Sequence, residues 1–227
     1  MVAETEWLAG LIAAQGLKTV IVAQARLDGS DIEYVLAQHA RSGLVRGVRH
    51  IPRAAAAPDK IERGAPGTLG DPLWRKGYAH LARFGFSFDL QVPFWHLEEG
   101  ADLARAFPMT PLIVNSAGFP IDRGADGLAL WRRGLRALSK EPNVSIKIAG
   151  LGTGAGIWPV AANVELIRFV LDTFGPDRCM IGSNFPPDRL AASFGTIMTG
   201  IMTALAVYAP TDQAKILSSN TMRIYRI

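Results

Sequence analysis

Cys179-Met180-Ile181-Gly182-Ser183-Asn184-Phe185-Pro186 is a short apolar run that stops on small and polar residues and turns at a proline. Just upstream, Phe174-Gly175-Pro176-Asp177-Arg178 closes a helical pattern. A buried strand that ends on polar side chains and hands over to a helix is the unit of a βα barrel, whose chemistry sits at the C-terminal strand ends. Five earlier segments repeat it. Strands are expected near residues 19–25, 45–50, 87–92, 111–116 and 144–149. Helical spacing marks residues 4–14, where Trp7, Leu8, Leu11 and Ile12 share a face, then a helix opened by Ser30 and closed by Gly43. Further helices are expected at 73–84, after Glu98, at 128–140 and at 160–174, with two more completing the chain. Strand–helix alternation over short connections implies a parallel sheet in one domain, residues 1–227.

Alternation within the strands separates a closed sheet from an open one. Ser87, Asp89 and Gln91 fall on one face, as do Ser145, Lys147 and Ala149, and Gly47 and Arg49. Phe88, Leu90 and Val92 fall on the other, with Val144, Ile146 and Ile148. An open doubly wound sheet gives no reason for inward Asp, Lys and Arg on three strands. A barrel interior opening onto a polar pocket does.

With 49% apolar and 19% charged residues, the 227-residue chain has ample material for a core. Its single cysteine, Cys179, lies in an apolar run, which excludes an internal disulfide and favours a reducing compartment. The net charge of +4 comes from scattered basic residues with no long run, so a solvated surface is expected rather than nucleic-acid binding. Met1 to Trp7 do not read as a basic n-region, and no apolar stretch reaches membrane-spanning length, about 18 residues. The expectation is a cytoplasmic protein without membrane contact. Residues 52–70 form a long Ala-, Pro- and Gly-rich loop, expected to be functional or mobile. The glycines from Gly150 to Gly156 have the wrong spacing for a dinucleotide loop and read as a lid.

Five motifs stand in register: Gly47-Val48-Arg49-His50, Phe88-Asp89-Leu90-Gln91-Val92, Ile113-Val114-Asn115-Ser116-Ala117-Gly118-Phe119-Pro120, Val144-Ser145-Ile146-Lys147-Ile148-Ala149-Gly150-Leu151 and Gly182-Ser183-Asn184-Phe185-Pro186. Together they resemble the amidohydrolase-2 family, TIM-barrel hydrolases that include sugar lactonases and the 2-pyrone-4,6-dicarboxylate lactonase. The resemblance implies an incomplete (β/α) barrel with about six of eight βα units, lacking the first two and the His-x-His pair that the family's first strand carries. It also implies two changes in the site: Ser116 stands where the family has His, and Asn184 where it usually has an acidic metal ligand or general base.

A catalytic divalent ion needs about three His or carboxylate ligands. His39 and His80 lie mid-helix, and His50 and His96 sit on different units, so neither a metal nor another cofactor is expected. The expected catalytic set is Asp89, Lys147, Asn184 and Asp188, with Asp89 or Asp188 as base on water and Lys147 facing a developing oxyanion. The expected binding set is Arg49, His50, Gln91, Trp95, His96, Ser116 and Trp158, with Arg49 forked onto a substrate carboxylate. The bland alternatives are an internal Arg49–Asp89–Lys147 ion network and core packing for the two tryptophans. The leading expectation is a metal-independent, lactonase-like hydrolase of a small carboxylated lactone or cyclic ester; the alternative is an inactive barrel that binds a ligand or partner. Six strands leave open edges near Val20 and Ile181, so a homodimer is expected, with an interface flanked by Trp7, Ile201 and Leu205.

Overall fold

Each of the expected strands forms, and each pairs only with its sequence neighbours. The computed structural model describes residues 1–152 and 158–227. Six parallel strands run in the order β1 (Ile21–Gln24), β2 (Val45–Arg49), β3 (Ser87–Leu90), β4 (Leu112–Val114), β5 (Val144–Ile148) and β6 (Cys179–Ile181). Helices α1 (Val2–Gln15), α2 (Ile32–Arg41), α3 (Pro72–Arg83), α4 (Leu97–Ala106), α5 (Ala125–Ser139) and α6 (Val160–Phe174) alternate with them. After β6 come α7 (Phe194–Leu205), the short α8 (Pro210–Ala214), a π-helical turn and α9 (Asn220–Tyr225), more pieces than the two helices expected. No helix among the described residues is long and apolar enough to cross a membrane.

The outward strand face is apolar and packs under the helices. Phe88, Leu90, Leu112, Val114, Val144 and Ile146 are all essentially buried, and Trp74, Tyr78 and Phe88 form an aromatic wedge with ring centroids 5.1–5.5 Å apart. Gly77 permits this approach of α3, because a Cβ there would lie 1.8 Å from the Leu27 carbonyl oxygen. Register then sets the inward face. Gly47 lies beside Ser87, Asp89 beside Ile113, Ile113 beside Ser145, and Lys147 beside Met180.

The sheet curls without closing. β1 and β6 are not paired with each other, so each has one free edge. Yet Val20 and Val22 from the first strand region share one apolar cluster with Ile113 of β4, Met180 of β6, and Ile224 and Tyr225 from α9. The chain's last helix fills the interior. Asn220 donates to the carbonyls of Pro176 (2.6 Å) and Cys179 (2.8 Å), tying α9 to β6. At the far end Arg226 donates to the Arg46 carbonyl (2.9 Å), and Arg46 donates back to the Arg226 carbonyl (3.2 Å), tying it to β2. The inner layer is therefore covered in part by the same chain's own last helix.

Of the expected interface residues, Ile201 and Leu205 need correction. Ile201 and Leu205 are buried against the core, and on α1 it is Thr5 that is buried, with Leu8 and Ile12 partly covered. Trp7 (63% exposed) and Leu11 point away from the protein. Thr5 is buried because its hydroxyl meets Nδ1 of His39 at 3.1 Å, while Nε2 of the same ring faces the Gln24 carbonyl at 3.0 Å. The carbonyl requires a proton on Nε2, so the neutral ring accepts the Thr5 hydroxyl at Nδ1. Helix α2 does not use Ser30 as its cap: Asp31 takes the N-cap position, without a side-chain hydrogen bond.

Burial holds the His39 pKa below its ordinary 6.5, although the Gln24 carbonyl opposes the shift. The unfolded chain then binds more protons than the folded one below that value, so stability is complete above pH about 6.5 and declines on acidification. Urea denaturation is expected to show this decline between about pH 7 and 5. A His39→Gln variant should show a shallower one; an equal slope would assign the dependence elsewhere, His50 being the other histidine shifted down by burial.

Candidate active site

The C-terminal ends of β2 to β6 surround a cavity of about 530 Å³. It is lined by Arg49, Gln91, Asn115, Ser116, Lys147, Asn184 and Asp188, with Phe119 and Ile121 among the apolar lining residues. Period-two alternation delivers the strand residues, and two backbone turns deliver the rest.

The first turn follows β4. Ser116, Ala117, Gly118 and Phe119 all have positive φ, between 51° and 73°, a left-handed turn in which three residues are not glycine. Each such residue costs roughly 1–2 kcal/mol, so the turn persists only because its surroundings hold it. Trp131 does so from α5, donating its indole N–H to the Ala117 carbonyl at 2.8 Å. The second turn follows β6, where Asn184 is also left-handed (φ 54°) and donates its side-chain amide to Asp188 Oδ1 at 2.7 Å.

Asp89 is 2% exposed and accepts from Lys147 Nζ (3.0 Å) and from the Tyr225 hydroxyl (2.9 and 3.1 Å to its two oxygens). Burial pushes the Tyr225 phenol pKa far up, and the Asp89 charge adds to it. Lys147 also donates to Asn115 Oδ1 at 3.1 Å and lies 5.1 Å from the centre of the Tyr225 ring. Asp89 does not line the cavity and is the counterion of Lys147, whereas Asp188, the other expected base, is a lining residue. Among the described residues Arg49 bonds only to the Gln91 side-chain oxygen (3.3 Å) and has no carboxylate partner. Two buried atoms of cavity-lining residues, Asn115 Nδ2 and Asp188 Oδ2, have no hydrogen-bond partner among the described residues.

Of the expected residues, Arg49, Gln91, Ser116, Lys147, Asn184 and Asp188 line the cavity, and Asp89 pairs with Lys147. His50, Trp95, His96 and Trp158 do not line it. His50 Nδ1 accepts from the Leu27 backbone (3.1 Å) and the Trp74 indole (2.9 Å). Trp95 donates to the Ala55 carbonyl (3.0 Å), and His96 accepts from the Ala55 amide (2.9 Å) while its other nitrogen meets Glu99 (3.0 Å). These two residues hold down the long loop, which is further closed by the Gly67 amide on Asp71 Oδ2 (2.7 Å). Trp158 is buried against Gly200 of α7 and shares a small void with Asp188 and Gly150. Gly150 and Gly152 border the cavity, but most of the glycine-rich segment read as a lid, 153–157, lies outside the described residues. Asn115 and Tyr225 were not among the expected site residues. Asn115 continues the inward alternation after Ile113, which would have found it; Tyr225 gives no local signal.

The donor set does not fit a divalent ion. Asp188 is the only carboxylate lining the cavity, Asp89 is taken by Lys147 and Tyr225, and two cations border the same space. No group of three His, Cys, Asp or Glu side chains converges among the described residues.

Comparison with known proteins adds a lineage. The amidohydrolase family model matches residues 2–227. An uncharacterized protein of Sinorhizobium fredii is 32% identical over 224 residues, covering 99% of this chain and 75% of its own length. An L-fucono-1,5-lactonase of Burkholderia ambifaria is 27% identical over 229 residues, covering 99% and 76%. Among solved structures, a Burkholderia multivorans amidohydrolase crystallised with zinc superposes with a TM-score of 0.85 at 24% identity, covering 99% of this chain and 79% of that one. A probable 2-pyrone-4,6-dicarboxylic acid hydrolase of Acinetobacter baumannii gives 0.73 at 14% identity, covering 97% and 78%.

Removing the Asp89 charge leaves Lys147 without its counterion. Asp89→Asn is expected to lower stability by about 1–3 kcal/mol, less than for a fully dry pair because the lysine is partly solvated. Chemical denaturation checks this. A variant as stable as the parent would show that the pair contributes nothing net.

Proposed function

The chain belongs to the amidohydrolase family, and from that premise we propose that it opens a small carboxylated lactone or cyclic ester with its own side chains and no resident metal. The observation that carries this reading is that Asp188 lines the same cavity as Lys147 and has one oxygen, Oδ2, without a hydrogen-bond partner among the described residues. Arg49, without a carboxylate of its own, takes the substrate's anionic group, and Gln91 holds the guanidinium in place.

The steps follow from those positions. Asp188 Oδ2 accepts a proton from a water molecule as the water oxygen adds to the lactone carbonyl carbon. Negative charge develops on the former carbonyl oxygen and is met by Lys147 Nζ and by the free N–H of Asn115 Nδ2. The ring C–O bond then breaks, the electron pair leaves on the ring oxygen, and Asp188 returns the proton to it. The product is the open hydroxy acid. Asn184, bonded to Asp188 Oδ1, holds the carboxylate by that oxygen and leaves Oδ2 as the acceptor. The lactonase name of the Burkholderia ambifaria relative supports the choice of ester over amide.

A second reading, an inactive barrel that binds a carboxylate ligand, draws on Ser116, a poor general acid or base where the family resemblance expects His. We further propose that a second copy covers the free edges of β1 and β6, since unpaired edges invite association.

Titration of acid release from a panel of carboxylated lactones is expected to show turnover that survives exhaustive chelation. Asp188→Asn should reduce kcat about 100-fold or more, and Arg49→Ala should raise KM with a smaller effect on kcat. Activity lost on chelation and restored by a metal would end the metal-free reading. Ligand binding without turnover would favour the inactive barrel.

A further inference from the structure

We infer that Tyr225, near the end of the chain, is a positioning residue of the cavity, acting through Asp89 to fix the direction of the Lys147 ammonium. Only its kinetic consequence rests on the hydrolytic reading above. A lysine side chain is a point charge on a flexible four-carbon stem, and a carboxylate is free to rotate about its own axis. Neither sets a direction alone. The Tyr225 hydroxyl lies 2.9 Å from one Asp89 oxygen and 3.1 Å from the other, which locks the carboxylate plane. Asp89 Oδ2 then receives one ammonium N–H (3.0 Å) and Asn115 Oδ1 a second (3.1 Å), so the third is left for the cavity. The aromatic face 5.1 Å away favours the same placement.

Tyr225 is held as firmly as it holds. Asn220 secures its helix to β6, and Arg226 and Arg46 exchange backbone-directed hydrogen bonds one residue further on. The phenol is 5% exposed and does not line the cavity, so it touches no substrate. Packing alone would be served equally well by phenylalanine, which keeps the ring and its cluster with Ile113 and Met180. The hydroxyl is what a packing role leaves unexplained.

Tyr225→Phe separates the two. In protein labelled with ¹⁵N-lysine, hydrogen exchange of the Lys147 ammonium is expected to speed up about tenfold in the variant, the loss of one hydrogen bond to a charged group. Lactone hydrolysis should lose a similar factor in kcat while KM stays within about twofold. A folded variant with parental ammonium exchange and parental kcat would overturn the inference. If the parent turns over no lactone, the hydrolytic reading fails and the exchange measurement still decides the role of Tyr225. If the variant does not fold, 3-fluorotyrosine in the unaltered sequence serves instead: its more acidic phenol donates more strongly, so ammonium exchange should slow. An unchanged rate there would equally overturn the inference.

Discussion

A carboxylate inside a barrel is stable only where cations and hydrogen-bond donors replace the water it has lost, and Asp89 meets that condition through two residues far apart in sequence. Lys147 comes from β5 and Tyr225 from the last helix. Their convergence sets how the strands curl, because the lysine, the aspartate and the phenol must share one interior. It also sets how the chain ends, because α9 must lie under the sheet for the hydroxyl to arrive. The cavity inherits this order, because Lys147 and Asn115 belong both to its lining and to the same network.

The arrangement separates two roles that a list of polar residues merges. Asp89 and Asp188 are both buried carboxylates near strand ends. One has every oxygen occupied, and the other keeps one oxygen without a partner. A buried carboxylate saturated with donors is a poor base toward anything in the cavity, whereas a half-satisfied one retains an acceptor to use. Partner counting, more than proximity to the site, distinguishes the counterion from the candidate catalyst.

Fold and site were legible in the sequence to different depths. The six strands and their inward face followed from period-two alternation, a local signal that survives in short segments such as Val144–Ile148. Arg49, Gln91 and Lys147 followed from the same alternation. His50, Trp95 and His96 were drawn toward the site by their places near strand ends, but their hydrogen bonds go to Trp74 and to the Ala55 backbone, partners fixed only in three dimensions. Helix α1 misled in a similar way. Its apolar residues mark a face containing Trp7 and Leu11, while the side that docks joins Leu8 and Ile12 with a polar contact, Thr5 on His39. Tyr225 was least visible of all, because its partner lies 136 positions earlier.

The left-handed turn at Ser116–Phe119 bears on how such a site changes over generations. Residue 116 already occupies a backbone region where Asn, Asp and His are several-fold enriched over other side chains. Opposite it stands Gly150, where a Cβ would lie only 3.1 Å from the Ser116 Cβ and hydroxyl oxygen, so glycine there keeps the space beside Ser116 clear. In evolutionary terms the turn is a backbone that suits histidine as well as the serine it carries, so that a change of side chain at this one position would be a change of chemistry on a kept scaffold.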